Sequence, residues 1–188
     1  LFPSLKSLPN LTISDYSDFN FDNIDLIFSC LPHGKFQSSI INNLNKNISI
    51  IDLSGDFRLD DLDVYEEFYG IKHKSKDINS KFVYGLSEDY KKDIKKAKFV
   101  ANPGCYTTSI LLPLIPLIKK NIVNSQHIVI DSKSGVSGAG KKLEIKNLFS
   151  EVNENFYSYA ISKHKHFAEI DQEISKFGKN TFTFIPSL

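Results

Sequence analysis

Between Ile24 and Leu53 two short apolar runs flank a stretch with helical spacing, and this order leaves few folds open. Ile24 to Cys30 reads as a buried strand that ends at the turn Leu31-Pro32-His33-Gly34. Phe36 to Leu44 has helical spacing and stops at Asn45 to Asn47, after which Ile48 to Leu53 reads as a second buried strand. Strand, helix and strand within about thirty residues form a βαβ unit, which predicts a parallel sheet with a right-handed crossover. Functional loops in such sheets lie beyond the carboxyl ends of the strands. His33 and the turn Ser54-Gly55-Asp56-Phe57-Arg58 are therefore expected on one rim.

The alternation continues. Asp60 to Ser80 reads as polar and irregular, Phe82 to Leu86 as a short extended piece, and Lys98 to Ala101 as a third strand. Asn102-Pro103-Gly104 makes a sharp turn. Cys105 to Lys120 reads as a helix, kinked because Pro113 and Pro116 each remove a backbone donor. Ile128 to Asp131 is a further strand, followed by a glycine- and serine-rich stretch from Ser132 to Gly140. Phe167 to Phe177 is an amphipathic helix, and Thr181 to Ile185 a strand. The role of the residues changes near Asn102 to Cys105. The expected boundary lies there, giving domains of residues 1–104 and 105–188.

Composition narrows the partners. A formal charge of +1 provides no basic field for nucleic acid. The longest apolar stretch, Ile110 to Ile118, is too short to span a bilayer and is interrupted by both prolines. No secretory signal pattern opens the chain, and two cysteines make no disulfide framework, so a reducing cytoplasm is expected. The sequence contains no methionine, so the chain is expected to begin inside a longer protein. Of 23 basic residues only Arg58 is arginine. An arginine that persists among so many lysines is a candidate for bidentate anion binding, against the plainer reading of a leftover surface charge.

Cys105 is the strongest single candidate for chemistry. It follows Pro-Gly and opens a helix, where unpaired amides and the helix dipole receive negative charge. The same amides can receive an oxyanion. The alternative is an inert buried cysteine, which is the reading given to Cys30 at the end of its apolar strand. A second cluster is Lys163-His164-Lys165-His166, with Glu169 beyond. His166 and Glu169 share a helical face, so Glu169 is expected to fix the orientation of His166 and leave His164 free. No third ligand lies at zinc spacing, so no metal is expected. A third candidate is Ser134 to Lys141, whose glycines permit close backbone approach to a phosphate or a ring. It is not a P-loop, and a flexible loop is its plainer reading. His73 and His127, in polar flanks, read as surface residues.

Taken in order, several segments resemble one family. They are Leu31-Pro32-His33-Gly34, then Asp52 to Leu59, then Val83-Tyr84-Gly85-Leu86-Ser87-Glu88. Asn102-Pro103-Gly104-Cys105-Tyr106-Thr107-Thr108, Asp131 to Gly140, and His164 to Ile170 complete the series. The sequence resembles the N-acetyl-gamma-glutamyl-phosphate reductases, which are related to aspartate-semialdehyde dehydrogenase. Departures are modest: Ser87 stands where the family often has proline, Gly55 where it often has alanine, and Ser187 where many members have histidine. Phe167-Ala168 stands where a proline commonly precedes the glutamate.

The resemblance implies an α/β protein, with part of a Rossmann-type parallel-sheet domain followed by part of a mixed α/β catalytic domain that carries oligomer contacts. It implies a glycine-rich cofactor turn before Leu1 and more catalytic domain after Leu188. It also implies NADP as cofactor, a small acyl-phosphate substrate, and Cys105 as a nucleophile that forms a thioester. His164 would be the acid/base group. Arg58, His166 and Glu169 would contact substrate, and Ser137, Gly138, Ala139, Gly140 and His33 would line the cofactor. Rival readings are an aspartyl or N-acetyl-aminoadipyl acyl-phosphate reductase, and a cofactor-free cysteine hydrolase using Cys105 and His164. Stoichiometric NADPH oxidation separates the hydrolase from the reductases.

Overall fold

The computed structural model describes residues 14–16, 19–41, 44, 47–140 and 143–188. The expected helix end at Asn45 to Asn47, the start of the chain and Lys141 lie wholly or partly outside these residues.

Four short strands form one parallel sheet: β1 (Leu26–Ser29), β2 (Ser49–Asp52), β3 (Phe82–Tyr84) and β4 (Phe99–Ala101), in the order β1-β2-β4-β3. Leu26 pairs with Ser49, Ile50 with Phe99, and Phe82 with Phe99. The first crossover carries a π-helical turn, Phe36–Ile40. Phe36, Ile48, Ile50, Phe57 and Ala101 are buried together on this sheet. Burial of each large side chain contributes about 1.5–3 kcal/mol.

The polar stretch after β2 is more regular than its composition implies. It holds α1 (Leu62–Tyr69) and α2 (Lys76–Asn79). The Asp61 carboxylate accepts from the amides of Asp63 (2.9 Å) and Val64 (3.3 Å), and Gly70 at φ 69° ends the helix. Such a cap is worth about 1 kcal/mol. Leu62, Tyr65 and Tyr69 fall on one face, and Tyr65 and Tyr69 are buried. A further helix, α3 (Ser87–Ile94), precedes β4.

His73 is a correction to the surface reading. It is 3% exposed, its Nδ1 accepts from the Ser75 amide (3.2 Å), and its Nε2 therefore donates to the Asp56 carbonyl (2.9 Å). Burial lowers its pKa below the ordinary histidine value. Cys30 is a second correction: it is exposed, because the chain leaves the sheet at Ser29.

The second half packs α4 (Cys105–Lys119) and α6 (His166–Ser175) together beside a parallel pair, β5 (Ile128–Lys133) and β6 (Phe182–Ser187). A short helix, α5 (Phe149–Val152), lies between them in sequence. An antiparallel bridge from Ser158 to Ser187 makes this half mixed. Helix α4 runs through both prolines as one element. Pro113 and Pro116 sit on its exposed face, as do Ser109 and Leu112, whose carbonyls lose their helical partners. Water can take those carbonyls, while Leu111, Ile115 and Ile118 anchor the other face in a core with Ile170, Ile174 and Phe184.

Candidate active site

Cys105 is the first residue of α4, and its exposed thiol opens into a cavity of about 600 Å³. His33, Leu53, Arg58 and Tyr69 line it from the sheet side. Gly138, Tyr159, Lys163, His164, Lys165 and His166 close it from the other half. The cavity thus joins the carboxyl rim of the parallel sheet to the amino end of α4, the placement expected of a ligand crevice in such folds.

The rim is held from below by Asp56, which is fully buried. Its Oδ1 accepts from the Gly34 amide (2.6 Å) and the Tyr65 hydroxyl (3.0 Å), and its Oδ2 from the Gln37 amide (3.2 Å). These bonds fix the turn that carries His33. Gly55, at φ 93°, lies beside the His33 ring, and a Cβ there would come within 3.2 Å of it.

Arg58 lines the cavity on the expected rim with its fork engaged by the scaffold, whereas Glu169 is turned away from the cavity. Arg58 is 7% exposed. Its Nε donates to the Asn102 carbonyl (2.7 Å) and its Nη2 to the Leu53 carbonyl (3.0 Å). Its Nη1 lies 3.6 Å from the Glu169 carboxylate. The planar fork therefore ties the end of β2 to the turn after β4, a task that suits guanidinium rather than ammonium. Glu169 has no exposed surface and does not line the cavity. Its Oε1 accepts from the Gly104 amide (2.9 Å) and the Tyr84 hydroxyl (2.7 Å), and its Oε2 from the Thr107 hydroxyl (3.0 Å). Helical spacing does set Glu169 on the side of His166. The packing of α6 on α4, however, presents its carboxylate to the unpaired donors at the start of α4. His166 Nδ1 is buried without a hydrogen-bond partner.

Glu169 is thus a clamp on the turn that carries Cys105. Glu169→Ala removes the carboxylate that faces a buried guanidinium and leaves three donors unpaired, so it should cost about 3–5 kcal/mol of stability. Denaturant unfolding of the full-length protein measures this. A loss below about 1 kcal/mol, the range of exposed pairs, would show that the clamp contributes little.

The two histidines meet, although their spacing on a continuous helix would separate them. Their ring centroids are 4.7 Å apart at 69°. His164 precedes α6, and its Nδ1 accepts from the amide of His166, the first residue of that helix (3.2 Å). In the neutral ring this leaves the proton on Nε2. Burial, and then the neighbouring Lys165 charge, push the His164 pKa down to about 4. Burial, and then His164, push that of His166 down to about 3. The His166 ring lies against Gly104, where an added Cβ would fall 2.3 Å from its Nε2. Only glycine admits that contact. Tyr106 packs edge-on to both rings, donates to the Ser187 carbonyl (2.9 Å) and accepts from the Tyr159 hydroxyl (3.2 Å).

Of the glycine-rich stretch, only Gly138 reaches the Cys105 cavity. Ser137 and Gly140 line a neighbouring groove, and Ala139 another, because residues 136–139 form a tight 3₁₀ turn. Tyr69, Tyr106 and Tyr159 were not among the sequence candidates; tyrosine periodicity alone reads as core. Among the described residues, no group of three or more His, Cys, Asp or Glu is placed to hold a metal ion. Nor, among those residues, is any helix long and apolar enough to cross a membrane.

Residues 1–97 match the semialdehyde dehydrogenase NAD binding domain, and residues 105–188 the semialdehyde dehydrogenase dimerisation domain. A probable chloroplastic N-acetyl-gamma-glutamyl-phosphate reductase of Arabidopsis thaliana is 45% identical over 190 residues, covering 100% of this chain and 47% of that protein. The N-acetyl-gamma-glutamyl-phosphate reductase of Afipia carboxidovorans is 47% identical over 194 residues, covering 100% and 55%. That of Ehrlichia canis is 46% identical over 165 residues, covering 88% and 47%. The chain spans about half the length of the relatives it matches. With one half matching the NAD binding domain and the other the dimerisation domain of that family, the chain belongs to the semialdehyde dehydrogenase family.

Proposed function

We propose that the full-length protein reduces N-acetyl-gamma-glutamyl phosphate to the 5-semialdehyde and inorganic phosphate, a step of arginine biosynthesis, with NADPH as reductant. The observation that carries this reading is the shared cavity, in which an exposed thiol at a helix start faces two histidines and the rim of a parallel sheet. The names of the relatives supply the substrate class. The dimerisation profile supports a homo-oligomer, and the free cysteines suit a reducing compartment such as the cytoplasm.

The residues fit a nicotinamide. His33 and Leu53 on the sheet rim and Gly138 opposite would hold that end of the cofactor beside Cys105. When bound, NADPH supplies the hydride. The chain's own residues do the rest. Cys105 Sγ, having given up its proton, attacks the acyl carbon, the C–O bond breaks with its electrons leaving on phosphate, and a thioester forms. The unpaired amides at the start of α4 receive the oxyanion, as does the Nε2–H of neutral His164. Once the carbon is reduced, the C–S bond breaks and its electrons return to sulfur. Gly104 is not free for the oxyanion, because its amide is bound to Glu169.

The test is NADPH oxidation by the full-length protein with N-acetyl-gamma-glutamyl phosphate, with phosphate release followed in parallel. One NADPH per phosphate is expected. Phosphate release without NADPH oxidation would indicate a hydrolase. Faster turnover of aspartyl or N-acetyl-aminoadipyl phosphate would reassign the substrate.

A further inference from the structure

The cavity around Cys105 is lined by three cationic side chains, Arg58, Lys163 and Lys165, and by no aspartate or glutamate. An anion entering it meets an excess of positive charge among the lining residues. The three are not equivalent. The Arg58 fork is engaged by two backbone carbonyls and Glu169. Lys163 is an exposed residue on the rim. Lys165 is half-buried, with its Nζ 5.0 Å from the centre of the Tyr69 ring, and it has no carboxylate partner among the described residues. It occupies the turn between His164 and His166, whose rings line the same cavity as Cys105.

We propose that Lys165 receives the phosphate group of the acyl phosphate as Cys105 displaces it. This rests on the functional reading above. Lysine binds phosphate as a compact point charge, and its three rotatable donors can follow the group as it departs. The Tyr69 ring face holds the ammonium in place before the anion arrives. Burial lowers the Lys165 pKa, and its charge lowers that of His164 in turn. A phosphate dianion at Nζ would relieve both.

The reverse reaction separates the two anions of the substrate. There the semialdehyde adds to Cys105 and the adduct gives up hydride to NADP⁺. A phosphate oxygen then attacks the thioester carbon, and sulfur departs with the bonding electrons. In the full-length enzyme, Lys165→Met should raise the KM for inorganic phosphate about 10- to 100-fold, the scale of losing a charged hydrogen bond. The KM for the semialdehyde should stay within about twofold, and Lys165→Arg should recover most of the phosphate affinity. An unchanged phosphate KM, or equal rises in both constants, would overturn the proposal. A thermal unfolding midpoint that drops in the Met variant but not in the Arg variant, with both KM values intact, would likewise show a structural role only. If the wild-type enzyme reduces no NADP⁺ in the presence of semialdehyde and phosphate, the functional reading itself fails.

Discussion

Cys105→Ser in the full-length enzyme is expected to lower NADPH-dependent reduction by roughly 10⁴-fold or more, the scale of losing a nucleophile. Serine keeps the shape of the side chain, and Cys105 is exposed, so stability should change by no more than about 0.5 kcal/mol. Without NADPH, the wild-type enzyme should accumulate a thioester on Cys105 and release up to one phosphate per active site, and the variant should do neither. Cys30 is exposed as well, so alkylating reagents reach both thiols and labelling alone does not distinguish them. Cys30→Ser is therefore the control, and it should retain full activity. A Cys30→Ser enzyme that is dead, or a Cys105→Ser enzyme that still turns over, would sink the assignment of the nucleophile.

His164→Asn should lower kcat by about 10²–10³-fold, the usual loss when one donor to a developing oxyanion is removed. The geometry behind this is the bond from the His166 amide to His164 Nδ1, which leaves the proton on Nε2 of a ring that lines the cavity. The pH dependence distinguishes a donor from a titrating base. A histidine whose pKa is pushed down to about 4 stays neutral from pH 6 to 8 and charges only as the pH falls towards 4. The ratio of wild-type to variant kcat/KM should therefore be constant across pH 6–8, since that quantity reports ionisations of the free enzyme. A ratio that changes tenfold per pH unit near 6.5 would mean that the ring titrates in this range and serves as a general base. His166, packed against Gly104 with its Nδ1 unpartnered, should act mainly through substrate affinity. If His166→Asn carries the kcat loss instead, the two roles exchange.

Much of the fold was legible because apolar runs and helical spacing report local burial. The strands β1, β2 and β4 fall within the stretches that their apolar residues mark. Helix α1 was hidden by its charge: Asp61, Asp63, Glu66 and Glu67 make the stretch look irregular. The Asp61 cap, the Gly70 stop and the Tyr65–Tyr69 spacing were nonetheless present as signals. The burial of His73 carried no such signal, since its partners are the Asp56 carbonyl and the Phe57 and Tyr65 rings.

The sequence by itself determined the parallel sheet, the rim that carries His33 and Arg58, and the helix that Cys105 opens. Each of these follows from residues close together in the chain. Tertiary structure decided what the charged groups do. Arg58 meets Asn102 across 44 residues, and Glu169 meets Gly104 across 65 and Tyr84 across 85. No spacing rule reaches that far. A buried guanidinium or carboxylate must find partners wherever packing presents unpaired donors and acceptors, and here these lay at the turn beneath the thiol. Arg58 and Glu169 are therefore held by the scaffold, and Lys165, between two histidines, is left facing the cavity.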